Sequence, residues 1–339
     1  MAKSVLGIDV GYDSMKLALV TGKKVIKTVQ VSVPERLLRE GRVVSTETIG
    51  ELLRSVMRKN GIHCSHAAVA FSNETVFVRN VSVPMMTAEQ LQYNLPFEFR
   101  HYISEELKDY AFDYATLPEN ASVDTSGRSE EDSDENTINL FAVAAPISLV
   151  QETKSYLRKA GLKLVKAAPV VCSYIELIRN MDPGKRPANG EYCFLDLGYQ
   201  AIRMYMFKGE CYEAERVLEI GMSSIDTAIA DAYNVDVHIA HTYLINNFED
   251  CQNKEECVNA YNNISVELMR ALNFYRFSNP DSQLSDIWLC GGGAAIGPLC
   301  NVISDSLDMT VHMADGLLPT GNSVEDAYAF AQAVGITLG

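Results

Sequence analysis

The 339-residue sequence is short of positive charge: 29 Lys and Arg stand against 44 Asp and Glu, for a formal net charge of −15. A nucleic-acid surface needs a Lys/Arg excess to displace phosphate counterions, so that partner class is excluded, and the same charge disfavours an anionic membrane surface. Long apolar runs are also lacking. At the N-terminus Asp9, Asp13 and Lys16 interrupt the apolar stretch before a signal-peptide core or a spanning helix forms, so the expectation is a cytoplasmic protein without direct membrane insertion. Val334-Gly335-Ile336-Thr337-Leu338-Gly339 carries no basic amphipathic extension of the kind that lies on a bilayer. The eight Cys include no CxxC pair, and several lie inside apolar strands, which points to buried free thiols ahead of metal or redox sites. What is present, 47% hydrophobic residues over this length, suffices for two domains with full cores.

The sequence is organised around Leu6-Gly7-Ile8-Asp9-Val10-Gly11-Tyr12-Asp13-Ser14-Met15-Lys16, an apolar strand, a Gly-containing turn and the start of a second alternating strand. An offset of 187 lays Asp196, Gly198, Tyr199 and Arg203 over Asp9, Gly11, Tyr12 and Lys16. A single Asp-x-Gly is ordinary hairpin chemistry. Two copies in register, too far apart for a solenoid period, imply two related domains that each open with the same hairpin. A tight turn that exposes backbone N–H groups cradles phosphate oxygens, Gly lets the backbone approach them, and a strand-end Asp holds Mg²⁺ through its waters. Two such hairpins face to face clamp a nucleotide phosphate tail from both sides.

These residues carry a resemblance. Gly7-Ile8-Asp9-Val10-Gly11 with Ser14 and Lys16 is similar to the first phosphate loop of the actin-like ATPase superfamily and, within it, of the PilM family of type IV pilus assembly proteins. Glu98, Tyr102 and Ile103 resemble that family's Glu-x-x-x-Tyr-Ile motif, although its following Pro-Phe-Pro is absent. The resemblance implies an α/β, actin-like (ribonuclease H-like) two-lobed fold of duplicated βββαβα-type domains. The first lobe would span residues 1–185, with a small α+β subdomain inserted at about 65–145, and the second 186–339. It further implies ATP and Mg²⁺ as cofactors. Their ligands would be Asp9, Gly11, Tyr12, Asp13, Ser14 and Lys16 in the first loop and Asp196, Gly198, Tyr199 and Gln200 in the second. Gly291, Gly292 and Gly293 resemble the adenosine motif, Glu267 and Arg270 the acid and base of the ribose-adenine helix, and Asp9 and Asp196 the water-mediated Mg²⁺ pair. The implied role is a scaffold recruited to the inner face of the cell membrane by the cytoplasmic tail of a PilN-like inner-membrane protein, with the pilus assembly ATPase as a further partner.

In chain order, residues 4–33 read as three strands and the stretch through Lys59 as a helix capped by Thr46 or Thr48. Strands over 67–71 and 75–83 precede a helix capped by Thr87, with Gln90 at the capping-box position and Pro96 as its kink or end. Strands at 110–117 and 138–145 flank residues 119–137, whose seven acids against Arg128 predict a disordered, solvated loop. Helices over 146–163 and 169–180, with a strand at 162–166, lead to a Pro- and Gly-rich boundary at 183–190. Beyond the second hairpin and a strand at 213–220 come helices over 224–233 (capped by Ser223 or Ser224), 236–247 and 254–278. The strand 287–290 runs into Gly291-Gly292-Gly293, a helix follows from about Gly297-Pro298, and a last helix spans 324–339.

Each site residue also has an ordinary reading. The Asp pair could only accept turn hydrogen bonds, but both sit among apolar neighbours where an unpaired carboxylate costs several kcal/mol. Lys16 and Arg203 could point to solvent from alternating strands, the Gly run could be a tight turn, and Glu267 with Arg270 could be an i,i+3 surface ion pair. The usual Ser residues of the first loop are Tyr12 and Asp13 here, and Tyr199, Gln200 and Ile202 replace small residues and Thr in the second. Fewer hydroxyls would reach a γ-phosphate, and no Glu or Gln stands out to activate water, so hydrolysis is expected to be slow at most. The rival readings are an FtsA-like cell-division or cell-shape actin homologue, disfavoured by the missing membrane helix, and a sugar kinase of the same superfamily, for which no base is identifiable.

Overall fold

The first hairpin joins β1 (Ser4–Val10) to β2 (Ser14–Thr21), and β3 (Lys24–Ser32) extends it. The structure, a computed structural model, describes all residues except 1–2, 13, 35–36, 40–41, 119–120, 122, 124–135, 319–323 and 325. A short ribbon, β4 (Leu38–Arg39) with β5 (Arg42–Val43), leads to α1 (Thr46–Lys59). Its cap is Ser45, not Thr46 or Thr48: the Ser45 hydroxyl accepts the Thr48 N–H, satisfying one of the orphan donors of the first turn. β6 (His66–Phe71) pairs parallel with β1, and β10 (Lys163–Pro169) pairs parallel with β6, so the sheet order is β10-β6-β1-β2-β3.

Between β6 and β10 lies a separate three-stranded antiparallel sheet of β7 (Phe77–Pro84), β9 (Thr137–Pro146) and β8 (Tyr110–Thr116), with β9 central. It packs its own small core of Val81, Leu91, Leu95, Phe99 and Leu140 against α2 (Ala88–Asn94) and the 3₁₀ turns Leu95–Phe99. Thr87 and Gln90 form the expected reciprocal capping box of α2. Pro96 ends the α-helix and the chain continues as the 3₁₀ segment, as its missing N–H requires. Most of the acidic connector, expected as a disordered loop, lies outside the described residues. α3 (Ile147–Ala160) packs with α1 on the outer face of the first sheet, and α4 (Val170–Asn180) on the inner face.

The second sheet repeats the first. β11 (Glu191–Leu197) and β12 (Ile202–Lys208) form the hairpin, β13 (Cys211–Leu218) extends it, and the parallel strands β14 (Asp286–Cys290) and β15 (Thr310–Met313) complete the order β13-β12-β11-β14-β15. The two hairpins share one register, Asp9 opposite Lys16 and Asp196 opposite Arg203. Helices α5 (Ser223–Tyr233), α6 (Val237–Asn246), α7 (Glu255–Ser278) and α8 (Gly297–Ser306) cover the outer face. No Ser hydroxyl caps α5; Ser224 instead donates to the Gly221 carbonyl. β15 has no counterpart in the sequence reading because four residues give too little alternation to register.

The chain ends between the sheets. A single helix over 324–339 was expected, but the described residues form a 3₁₀ turn, Ala327–Phe330, and a short α9 (Ala331–Gly335). Asp326 is left-handed at φ 53°, which breaks the helix upstream. Downstream, α9 lies so close to β1 and α4 that a Cβ on Gly7 would stand 1.7 Å from the Ala333 carbonyl oxygen, and one on Gly335 2.3 Å from that of Ser173. Tyr174, Phe194, Tyr205, Phe207 and Trp288 fill the core around α4 and α9, with Tyr174 and Phe194 stacked 4.4 Å apart. All eight Cys are free, and burial pushes the Cys193 thiol up to about 12 and that of Cys172 to about 11, as expected of inert interior thiols. Among the described residues no helix is long and apolar enough to cross a membrane.

Candidate functional site

Both turns point into one cavity of about 280 Å³, lined from the first hairpin by Asp9, Gly11, Tyr12 and Lys16 and from the second by Asp196, Gly198, Tyr199, Gln200 and Arg203. The residues paired by the repeat in the sequence are thus brought together in space. The first turn is closed by the Gly11 N–H donating to the Ser14 carbonyl at 2.9 Å. The second is fixed from outside as well: the N–H groups of Met222 and Ser223, at the start of α5, donate to the Gly198 and Tyr199 carbonyls at 3.1 and 2.9 Å. A Cβ at Gly198 would meet the Ala201 carbonyl oxygen at 2.5 Å, which is why a Gly stands there.

The two carboxylates are held differently. Asp9, only 9% exposed, has Lys16 Nζ 3.9 Å from its Oδ2. Asp196 Oδ2 accepts from Gln332 Nε2 of α9 at 2.8 Å, and the same amide nitrogen lies 2.8 Å from the Tyr174 hydroxyl. Burial, with Cys290 and Asp196 beside it, keeps that phenol neutral, its pKa well above the ordinary value. Arg203 is half-buried, which by itself disfavours its charge, but Tyr205, Glu74 and Asp196 outweigh this and hold its pKa above the usual arginine value. Across the mouth between the turns the rings of Tyr12 and Tyr199 stack, centroids 6.1 Å apart and planes 23° from parallel.

A second cavity, about 150 Å³, adjoins the first and shares Lys16, Gly198 and Tyr199 with it. Ser14 and Gln30 line one side, Met222, His241, Leu244 and Ile245 another, and Gly292 and Gly293 a third. The Gly run is divided in its packing. Gly291, at φ 84°, packs so tightly that a Cβ would stand 2.3 Å from Asp196 Oδ1, and one on Gly293 would stand 2.4 Å from Met222 Sδ. A Cβ on Gly292 would meet nothing within 4 Å, so here the backbone is open to the cavity.

Two expected residues are not brought in. Glu267 and Arg270 pair with each other on the exposed side of α7, because the buried stripe Tyr261, Ile264, Leu268, Leu272 and Tyr275 turns them outward, and neither lines either of these two cavities. Asp13 lies outside the described residues. Sequence reading missed Glu74, Gln332 and the pair of fully buried Asp226 with His241, whose Nδ1 lies 2.8 Å from Asp226 Oδ2 and whose ring stands edge-on to Tyr199 at 5.6 Å. Among the described residues no cluster of three or more His, Cys, Asp or Glu could hold a metal by side chains alone.

A family model described as type IV pilus assembly protein PilM matches residues 7–323. A PilM-PilN type IV pilus biogenesis complex superposes with a TM-score of 0.76 at 21% identity, covering 98% of this chain and 97% of that one. The ethanolamine utilization protein EutJ from Carboxydothermus hydrogenoformans gives 0.59 at 12% identity, over 100% of this chain and 89% of that one. MreB5 of Spiroplasma citri bound to ADP gives 0.50 at 12% identity, over 98% and 94%. A comparison with curated protein sequences gives no match. The fold is that of the actin-like ATPases.

Proposed function

Because this chain belongs to the PilM family of type IV pilus assembly proteins, we propose that it is an ATP-binding scaffold of the pilus machine, bound in the cytoplasm by the N-terminal tail of a PilN-like inner-membrane protein. The observation that carries the nucleotide half is the pair of Asp-x-Gly hairpins in one register, both turns and a cation from each facing a single cavity. The residues suit the group. Gly11 and Gly198 allow the tight turns that bring their backbones to the cavity wall, Lys16 and Arg203 would offset phosphate charge, and the bare backbone at Gly292 lets a nucleoside lie in the adjoining cavity. Asp9 and Asp196 are the carboxylates that would hold Mg²⁺, with water and phosphate oxygens supplying its other ligands. When bound, the metal would neutralise the phosphate charge that these acids otherwise repel.

The partner half is supported by the similarity to a PilM-PilN complex. The inserted sheet would form one wall of the peptide groove, and nucleotide would bias that groove by drawing residues 1–185 and 186–339 together. Tyr12 and Tyr199 stand where hydroxyls would otherwise approach a terminal phosphate, which suits binding with at most slow hydrolysis. Calorimetric titration of Mg-ATP into the full chain should show micromolar binding, abolished in the double variant Asp9→Ala with Asp196→Ala. A PilN-tail peptide should bind with an affinity that changes when ATP is present. Absence of peptide binding in both conditions would refute the scaffold role, and absence of ATP binding the nucleotide role.

A further inference from the structure

The repeat sets a cation beside each turn: Lys16 Nζ lies 3.8 Å from where a Cβ on Gly11 would stand, and Arg203 Nη1 lies 3.9 Å from the same point on Gly198. Lys16 faces the acid of its own hairpin, Asp9. Arg203 instead leaves its hairpin, forms an ion pair with Glu74 and lies 3.9 Å from Glu215 of β13. Glu74 belongs to the connection of residues 72–76 between β6 and β7, through which the chain enters the inserted sheet. Its neighbour Asn73 donates to Glu215 Oε2 at 2.7 Å. The entrance to the inserted sheet is therefore fastened to the second sheet at two adjacent residues, Glu74 to the hairpin strand β12 and Asn73 to β13, and Glu74 and Arg203 both line the 280 Å³ cavity.

We propose that Arg203 binds the terminal phosphate of a nucleoside triphosphate and that Glu74 is the carboxylate it holds until that phosphate displaces it, so that nucleotide loosens the entrance to the inserted sheet. The proposal rests on the nucleotide reading above. A guanidinium engages carboxylate and phosphate through the same fork of N–H donors, and the more highly charged phosphate is the stronger acceptor. Displacement costs Glu74 little, since half of its side chain is already in water. An ionised Glu74 left beside the triphosphate would repel it, so swinging outward is favoured. Asn80 of β7 still donates to the Tyr212 carbonyl at 2.6 Å, so the sheet is loosened at its entrance and not detached. ADP, lacking the terminal phosphate, leaves the Arg203–Glu74 pair in place.

The test compares ATP and ADP binding by calorimetry, and hydrogen exchange of residues 72–78, in the full-length protein and two variants. Arg203→Gln should weaken ATP binding about tenfold and ADP binding far less, as loss of a charged hydrogen bond to the terminal phosphate alone requires. Glu74→Gln should strengthen ATP binding and show, without nucleotide, the faster exchange that the unaltered protein shows only with ATP. If Arg203→Gln does not fold, Arg203→Lys is measured instead and should lose part of the ATP preference. Equal losses for ATP and ADP, unchanged ATP affinity, or weaker ATP binding by Glu74→Gln would overturn the proposal while leaving the nucleotide site standing. No ATP binding by the unaltered protein would overturn both.

Discussion

In the first hairpin Asp9 and its cross-strand partner Lys16 face each other at 3.9 Å, whereas in the second Asp196 and Arg203 each bond outside the hairpin, Asp196 to Gln332 of α9 and Arg203 to Glu74 before β7. The backbone registers are the same, so duplication accounts for the shared geometry. The difference lies in wiring. The first hairpin has α9 pressed against its strand backbone at Gly7, and Asp9 and Lys16 lie opposite each other across its two strands. The second hairpin touches three other parts of the chain, α5 through its turn carbonyls, α9 through Gln332 and the β6–β7 connection through Glu74. On the nucleotide reading proposed above, a signal from a bound nucleotide has a physical route out of the second hairpin through these three contacts.

The largest effect expected from perturbing this asymmetry is at the Gly run behind the second hairpin. Gly291→Ala forces a Cβ against Asp196 Oδ1 and the Leu197 backbone from a left-handed conformation, and should cost about 3 kcal/mol in urea unfolding. Gly292→Ala meets nothing and should leave stability within about 0.5 kcal/mol while weakening nucleotide binding. Equal stability losses at the two positions would mean that the cavity wall is not open where the geometry has it. Next comes the external bond of Asp196. Gln332→Ala removes one donor shared by Asp196 and the buried Tyr174 hydroxyl and should cost about 2 kcal/mol, against about 1 kcal/mol or less for Lys16→Met in the first hairpin. A reversed order would show that the first hairpin is the more strongly tied.

The comparison was only half visible in the sequence. Asp9, Gly11, Asp196 and Gly198 were legible because a fixed offset preserves them, and the strands that carry them fall within a residue or two of expectation. The Gly run was legible as a unit, but its division into two packing glycines and one open one depends on Asp196 and Met222, far away in sequence. Glu267 and Arg270 satisfied both a binding and a surface reading; only the direction of the α7 core stripe separates them, and it turns both outward. Gln332 carries no local signature, since an amide between alanines near the C-terminus acquires its role only where α9 slots between β1 and α4. The left-handed Asp326 interrupts the helix expected over 324–339, a break that no Pro or Gly announces there. Glu74 is legible only once the β6–β7 connection is seen to cross to the second sheet.

The stacked tyrosines offer a smaller test that joins the two hairpins directly. Tyr12 and Tyr199 occupy equivalent positions, and a double-mutant cycle of Tyr12→Ala with Tyr199→Ala should give a coupling of about 0.5–1 kcal/mol in stability. Bound ATP should change that coupling if the rings guard the mouth of the phosphate site. A coupling near zero with and without nucleotide would leave the two turns energetically independent despite their contact.

The smallest expected effect concerns whether Arg203 belongs to Glu74 or to Glu215. Burial raises the Glu215 carboxyl above its ordinary value of 4.5, and the Asn73 hydrogen bond and Arg203 charge only partly oppose it. A carboxyl whose pKa is higher folded than unfolded binds its proton more tightly in the native state. Its contribution to stability is thus fully present below 4.5 and is lost as pH rises through the folded value. Glu215→Gln keeps an acceptor for Asn73 and removes this loss, so the variant should gain on the unaltered protein as pH is raised from 4 towards neutrality and then hold a constant margin. Urea midpoints of the two proteins across that range decide the matter. If the unaltered protein gains on the variant instead, an ionised Glu215 is being held by Arg203 across 3.9 Å more strongly than burial opposes it. Glu74 would then be the weaker of the two partners, and the second sheet's tie to the β6–β7 connection would run mainly through Asn73 and Glu215 of β13.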